Sequence, residues 1–182
     1  ALSCVRAGDL VAAGSSRGIA VFKSTPGRST SNAKAERANE TCLEWGRHAF
    51  VRGGQGIGWG SHAIEHALMH RRCQTPDGGI SIYVQKHGPN IKQPTLYPHM
   101  ARVFFKPTKD QQDAAKIAAT GREGVLVGYC TQPGGAWSGD YKVADLRDFE
   151  HGAGRHNTRI WITRTILFPK GPPTFPIAEA KT

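Results

Sequence analysis

The stretch Ser24-Thr-Pro-Gly-Arg-Ser-Thr-Ser-Asn-Ala-Lys-Ala-Glu-Arg-Ala-Asn39 combines a turn, a polar loop and the start of a helix. Its proline–glycine pair favours a turn, and Ser31 and Asn32 are residue types that cap helix amino termini. The alanine-rich run that follows favours a helix, so Glu36 falls in the first helical turn. A helix amino terminus attracts anions, and a carboxylate held among basic side chains suits a divalent cation beside a phosphodiester.

Working outward, the helix that begins in this stretch is predicted to continue to about Val51. Alanine, cysteine and tryptophan recur along it at spacings of three and four, which is typical of a helix face turned towards a core. Glu36 lies away from that face and is therefore free for solvent or metal. A second helix is predicted over 61–73. The glycine-rich run 53–60 between the two helices matches no phosphate-binding loop and is interpreted as a connector.

The second predicted helix carries the motif His62-Ala-Ile-Glu-His66, and His70 continues the row one turn later. Two histidines one turn apart can chelate zinc, and H-x-x-E-H is a metalloprotease signature. A catalytic zinc needs a third protein ligand, and no later Glu or His stands in an equivalent motif. We therefore expect no zinc, and a zinc hydrolase built on His62 and His66 is the least favoured function.

The pattern changes to strands after Met100. Four segments rich in β-branched and aromatic residues predict short antiparallel strands at 101–106, 124–130, 141–146 and 158–168. Such strands predict a small β-barrel-like domain or a curled sheet over 100–170. An earlier apolar strand is predicted at 18–23, inside a parallel or mixed sheet. The fold class is therefore α+β, with a helical and α/β part over 1–90, a linker over 91–99 and a disordered tail over 171–182.

The charge balance restricts the partners. The chain has 182 residues and a formal net charge of +10. This favours polyanions, with nucleic acid ahead of an anionic membrane. No apolar run has the length of a membrane span, so a membrane partner is not expected. The four cysteines form no CxxC pair and are interpreted as reduced thiols of an intracellular protein.

Three parts of the sequence resemble copia-type retrotransposon integrases. The stretch 24–39 is similar to the segment around their last catalytic carboxylate, S-x-P-Y-R-P-Q-S-N-G-x-A-E-R-x-N-R. Trp59 resembles a tryptophan that begins their next helix. Gly124-Val-Leu-Val-Gly-Tyr129, followed by a strand ending in Val143-Ala-Asp-Leu146, is similar to the module after the integrase core. The resemblance implies the C-terminal part of an RNase H-like core, then a small β domain, and DNA integration as the parent reaction.

The resemblance also implies a metal chemistry. Integrases of this family hold two divalent ions, Mg²⁺ or Mn²⁺, with two aspartates and a glutamate, and Glu36 matches the glutamate. Asp9 is the candidate for the second aspartate, although it stands close to Glu36, and the first would precede this chain. The turn departs from the family at Ser29-Thr30 and at Ala33. We therefore expect a fragment that does not integrate DNA alone.

Two sets of residues are predicted to contact nucleic acid. The set around the glutamate consists of Arg28, Ser31, Asn32, Lys34 and Arg37. The set on the β domain consists of Arg102, Lys106, Lys142, Arg159, Trp161 and Arg164, which combine phosphate contacts with aromatic stacking. The implied partners are retroelement ends and target DNA, with homo-oligomers and a nuclear location where the element functions. The alternative function is a non-catalytic basic interaction module that binds protein or RNA.

Overall fold

The computed structural model describes residues 33–75, 79–107, 121–150 and 158–181. The chain divides into two compact units, residues 1–39 and residues 40–182. The described part of the first unit is the beginning of one helix. The strand predicted over 18–23 lies outside the described residues. Within the described ranges, no helix is long and apolar enough to cross a membrane.

In the described residues, three helices precede the sheet. α1 spans Ala33–Gly53, α2 spans Gly60–Cys73 and α3 spans Ile82–His87, with a 3-10 turn at Ile57–Trp59 between the first two. The predictions of α1 and α2 are confirmed, because alanine-rich and apolar-periodic sequence of this length strongly favours helix. The shorter α3 begins at a capping serine, since the Ser81 hydroxyl accepts from the Val84 amide at 3.3 Å.

Two glycines allow the chain to approach closely around α1. Gly46 is buried, and a Cβ at this position would lie 2.5 Å from Cγ1 of Ile64 on α2. Gly54 follows the end of α1 with a φ of +67°, the left-handed conformation that favours glycine after a helix. A Cβ there would meet the backbone of Ala178 at 2.5 Å. A larger residue at Gly46 would push α1 away from α2, and one at Gly54 would push this turn away from Ala178.

The described residues of the second half of the chain form an antiparallel sheet of five strands. The strands are β1 (Arg102–Phe105), β2 (Arg122–Thr131), β3 (Trp137–Asp145), β4 (Ile160–Thr163) and β5 (Ile166–Leu167). Their order in the sheet is β4-β3-β2-β1-β5, and every neighbouring pair is antiparallel. A short helix, α4 (Leu146–Glu150), follows β3. The described chain is thus α+β, as predicted.

The sheet is curled but open. β4 and β5 are consecutive in the chain yet lie at opposite edges of the sheet. The edges meet where Thr163 Oγ1 donates to the Lys106 carbonyl at 2.7 Å and the Lys106 amide donates to the Thr165 carbonyl at 3.0 Å. Of the two predicted forms, the barrel is wrong and the sheet is open, because the two-residue β5 pairs with β1 and, in the described sheet, makes no ladder with β4.

Both faces of the sheet carry buried side chains. One face carries a core cluster that includes Leu126, Tyr129 and Val143, and the other includes Val125 and Val127. A register shift between Leu126 and Gly128 marks a bulge in β2. The bulge explains why Leu126 and Tyr129 reach the same cluster although their spacing is odd.

The segment 91–99 differs from the predicted linker, because it packs against the sheet. Leu96 and Tyr97 lie against the first core cluster, and His99 is only 2% exposed. α2 also contacts the sheet, with His70 Nε2 2.9 Å from the Tyr129 hydroxyl. The helix and the sheet therefore belong to one unit, and the polar and proline residues of 91–99 conceal how its apolar side chains are buried.

The described tail also differs from the disordered segment predicted over 171–182. It contains α5 (Pro176–Glu179), and the Arg102 amide donates to the Thr174 carbonyl at 2.9 Å. Ile177 is 9% exposed and packs with Trp59 and Met100 in the second core cluster. Proline-rich composition predicted disorder, whereas the buried Ile177 side chain and hydrogen bonds, including one from Lys181 Nζ to the Gly54 carbonyl, attach the tail to the unit.

Candidate functional site

Glu36 lies in the first turn of α1, and it is exposed together with Lys34 and Arg37. The remaining residues predicted around it, Asp9, Arg28, Ser31 and Asn32, lie outside the described residues. Within the described ranges, no group of three or more His, Cys, Asp or Glu side chains could hold a metal ion. These residues do not by themselves fit a two-metal centre, so Glu36 as a ligand of Mg²⁺ or Mn²⁺ stays a prediction.

Three cations predicted to contact DNA from the sheet are paired with carboxylates. The pairs are Arg102 with Glu123 at 3.1 Å, Lys142 with Glu65 at 3.1 Å and Arg164 with Asp140 at 2.9 Å. The hydrogen bond from Arg164 holds the pKa of Asp140 below its usual value. A phosphate would have to compete with these carboxylates, so the pairing weakens the case for a DNA contact at these positions.

The stacking of Trp161 on a base stays a prediction, and the burial of its side chain weakens the case for it. Its side chain is 5% exposed inside β4, with the Phe105 ring 6.1 Å away between centroids. The guanidinium groups of Arg159 and Arg122 lie 4.0 and 5.0 Å from the centre of the ring. A base cannot reach the ring while it is buried in this way. Arg159 is exposed, and its predicted phosphate contact stays a prediction.

Three histidines lie close together, His66 and His70 on α2 and His99 just before β1. We call them the histidine cluster. The centroid of the His66 ring lies 4.3 Å from that of His70 and 5.1 Å from that of His99. The Tyr97 carbonyl lies 2.9 Å from His66 Nε2 and 3.0 Å from His70 Nε2, and it accepts hydrogen bonds from both. His99 Nδ1 donates to the Val127 carbonyl at 3.0 Å. Two histidines of the row that begins in the H-x-x-E-H motif, His66 and His70, are thus hydrogen-bonded to the same backbone carbonyl.

Burial lowers the pKa of every member of the histidine cluster. For His66 the burial is reinforced by its neighbours His70 and His99, and its pKa lies well below the ordinary value. Burial lowers the pKa of His70 and brings that of His99 to about 4. The three rings are therefore neutral at pH 7. A neutral imidazole offers one donor and one acceptor, so the cluster can both donate and accept hydrogen bonds.

A cavity of about 320 Å³ opens beside the histidine cluster, and we call it the histidine pocket. α1 contributes Trp45, His48 and Arg52, and α2 contributes His66, His70 and Arg71, with His99 completing it. Among the described residues that line the pocket, none carries a carboxylate. The pocket thus combines the indole ring of Trp45, the neutral imidazoles of the histidine cluster and the guanidinium groups of Arg52 and Arg71.

The two arginines of the histidine pocket lie over aromatic rings. The Arg71 guanidinium is 4.6 Å from the centre of the Trp45 ring, and that of Arg52 is 5.0 Å from the centre of the Phe175 ring. Neither arginine pairs with a carboxylate in the part of the chain that the structure describes. Their planar groups are therefore oriented by the rings, while their charges are not neutralised there.

A second group of cations converges on the turn between β2 and β3. Lys86 Nζ donates to the Gly134 carbonyl at 2.7 Å. A Cβ on Gly135 would meet Arg72 Nη1 at 3.3 Å and Lys86 Nζ at 3.9 Å, so both side chains lie against this turn. The last residues of α2 and of α3 thus bring two positive charges to one surface.

Lys92 adds a third positive charge, since its Nζ lies 5.5 Å from the centre of the Trp137 ring just after the turn. We call Arg72, Lys86 and Lys92 the turn cluster. All three are exposed, and none pairs with a carboxylate among the described residues. The turn cluster is therefore more accessible to phosphate than the paired cations of the sheet.

Sequence reasoning identified neither the turn cluster nor the histidine pocket, because each is assembled from separate elements. One local signal was present: two consecutive arginines, Arg71 and Arg72, end α2. Consecutive helical residues point about 100° apart. This separation explains how Arg71 reaches the histidine pocket while Arg72 reaches the turn.

Comparison of the chain with protein-family models, with curated proteins and with solved structures finds no match.

Proposed function

We propose that this chain is a nucleic-acid-binding part of a copia-type retrotransposon integrase and does not carry out strand transfer by itself. The observation that carries the binding function is the turn cluster, three exposed cations without carboxylate partners among the described residues. The net charge of +10 supports the same conclusion. DNA is the proposed partner, in the form of retroelement ends and target DNA.

The parent reaction is part of the same proposal. Its support is the sequence resemblance over 24–39 and the place of Glu36 in the first turn of α1. On this view the residues before the sheet derive from an RNase H-like core, and homo-oligomers and a nuclear location follow from the parent enzyme. No step of strand transfer is assigned to the described residues, because they do not fit a two-metal centre.

The turn cluster predicts salt-sensitive binding of duplex DNA without sequence preference. Each phosphate that a cation neutralises contributes about −0.9 to the slope of log affinity against log salt concentration. We expect the triple variant R72Q/K86Q/K92Q to bind more weakly and to lose a slope of about 2 to 3. Fluorescence anisotropy of a labelled duplex, measured over a series of salt concentrations, gives both quantities.

Arg164→Gln is a control for this experiment, because it removes one positive charge from an arginine that Asp140 already neutralises. It should leave the slope nearly unchanged. If Arg164→Gln lost more DNA affinity than the triple variant, the DNA interface would lie on the sheet instead of at the turn cluster. Absence of binding by the unmodified chain at low salt would refute the proposal.

The alternative is a basic interaction module for protein or RNA. It is favoured by two exposed apolar side chains near the connection of α1 to α2, Val51 at 76% and Ile57 at 91% exposure. The same anisotropy experiment, carried out with an RNA hairpin and a DNA duplex of equal length, compares the affinity for RNA with the affinity for DNA. Tighter binding of the hairpin at equal salt would replace DNA by RNA as the partner.

A further inference from the structure

The histidine pocket has no part in the proposed contact with duplex DNA. Its guanidinium groups come from Arg52 and Arg71, whereas the turn cluster uses Arg72, which points about 100° away from Arg71 around the helix. The pocket holds about 320 Å³, near the lower end of the range for small-ligand sites, roughly 300–1,000 Å³. A duplex cannot enter such a volume, but a small molecule or one unpaired residue of a strand can.

We propose that the histidine pocket binds a single nucleotide unit, with its phosphate at Arg52 and Arg71 and its base against Trp45. The nucleotide is either a free mononucleotide or an unpaired nucleotide of a strand. In the second case the inference rests on the proposed function, since the strand must first be bound.

The charges of the pocket select an anion. Both arginines are exposed, and in the described part of the chain neither has a carboxylate partner. A guanidinium presents several N–H donors in a plane that matches two oxygens of a phosphate. The lining contains no carboxylate among the described residues, so nothing there repels a phosphate.

The rings of the pocket favour a planar group beside that phosphate. Trp45 is half buried and already lies under the Arg71 guanidinium at 4.6 Å. A base can stack on an indole or on a guanidinium plane, and neither surface depends on which base is present. A free phosphate ion would use the arginines and leave this surface empty.

The histidine cluster supplies the polar wall of the pocket. His66 Nε2 and His70 Nε2 are held by the Tyr97 carbonyl, which fixes the orientation of both rings. Their remaining ring nitrogens offer hydrogen-bond acceptors to the exocyclic amino group or the sugar hydroxyl of a nucleotide. Because these rings are neutral, the attraction for phosphate comes mainly from the two arginines.

The experiment compares deoxyadenosine monophosphate, inorganic phosphate and deoxyadenosine by isothermal titration calorimetry on the full chain. We expect the monophosphate to bind more tightly than either of its parts, because both halves of the site are then used. A 5′-phosphorylated single strand, compared with a blunt duplex, tests whether the nucleotide is taken from a strand. Inorganic phosphate binding as tightly as the monophosphate would overturn the role of Trp45 and with it the inference.

The adjacent arginines provide a matched pair of variants. Arg71→Gln should weaken binding of the monophosphate by about tenfold or more, which is the usual loss when one charged hydrogen-bonding partner is removed. Arg72→Gln should leave this affinity unchanged and weaken duplex binding instead. Equal effects of the two variants on the monophosphate would contradict the proposed site. Circular dichroism of both variants verifies that each is folded.

The two proposals can fail separately. Duplex binding without any binding of the monophosphate removes the inference and leaves the proposed function. Binding of the monophosphate by a chain that binds no duplex or single strand removes the proposed function, and the pocket is then a site for free nucleotides. Trp45→Leu separates stacking from charge, since it should weaken binding of the monophosphate more than binding of inorganic phosphate, although Arg71 also loses the ring it lies over.

Discussion

At the scale of single residues, the histidine cluster shows how burial determines charge. His66 and His99 are 3% and 2% exposed, and both rings are hydrogen-bonded to backbone carbonyls. A proton on either ring would place a charge in a poorly hydrated site, next to the other imidazoles and near Arg52 and Arg71. Desolvation and repulsion between like charges therefore keep the cluster neutral.

This neutrality predicts that the folded state loses stability in acid. The unfolded chain protonates His99 near its ordinary pKa of 6.5, whereas the folded chain does so only near a pKa of about 4. Between these values the unfolded state binds more protons, so the free energy of unfolding falls as the pH falls. At pH values above this range, His99 adds nothing to the pH dependence of the free energy of unfolding. Its full contribution is about 3 kcal/mol, and His66 acts in the same direction.

Urea unfolding monitored by tryptophan fluorescence, at several pH values between about 7 and 4.5, measures this dependence. His99→Asn keeps a donor for the Val127 carbonyl but cannot take up the proton, so we expect a flatter dependence. His48→Gln replaces an exposed histidine of the same pocket and should leave the dependence as it is. A slope in His99→Asn as steep as that of the unmodified chain would rule out His99 as its source.

At the scale of elements, the close contact of α1 with α2 depends on Gly46. Alanine at this position gains up to about 1 kcal/mol of helix propensity. Its Cβ would lie 2.5 Å from Ile64 Cγ1, and overpacking of this kind costs about 1–3 kcal/mol. We therefore expect Gly46→Ala to lower the free energy of unfolding by about 1 kcal/mol, the difference between these two effects. Urea denaturation gives the value.

Two variants check the cause of that loss. Gly60, at the start of α2, has nothing within 4 Å of an added Cβ, so Gly60→Ala should leave stability unchanged or raise it by up to about 1 kcal/mol. In the background of Ile64→Val, which leaves Cγ1 but shortens the side chain, Gly46→Ala should cost less because the smaller residue can shift. Stabilisation by Gly46→Ala alone would show that Ile64 moves without cost.

The elements were predictable where local sequence determines them. The periodic pattern of α1 and the strand-forming segments from Met100 onward gave the element types correctly, because their propensity and their burial agree. The burial of Trp161 could not be predicted, because alternation in β4 does not show which face is covered, and Arg122 and Phe105 come from distant strands. The turn cluster was missed for the same reason, since only the folded chain brings Arg72 and Lys86 together.

At the scale of the whole molecule, ion pairs redistribute the effective charge. The sheet carries several cations, but the described carboxylates Glu65, Glu123 and Asp140 each pair with one of them. Among the described cations that no carboxylate pairs with are those of the turn cluster and of the histidine pocket. Net charge thus predicts that a polyanion binds, whereas pairing within the fold determines where it binds.

The unit formed by residues 40–182 also includes its C-terminal segment. Ile177 packs with Trp59 and Met100 in the second core cluster, where it is 9% exposed. Truncation of a buried isoleucine usually costs about 2–5 kcal/mol, and we expect a value near the lower end for Ile177→Ala because α5 has only a single turn. Urea denaturation measures the loss.

Ile162→Ala is the matched control, since the same side chain is 52% exposed in β4, and its loss should be clearly smaller. The outcome distinguishes two descriptions of the C-terminal segment. If Ile177→Ala costs no more than Ile162→Ala, the segment contributes nothing to the core and resembles the disordered tail that its proline content predicts. If it costs about 2 kcal/mol more, the segment covers the face of the sheet that α2 leaves open, and folding of the unit requires the chain through α5.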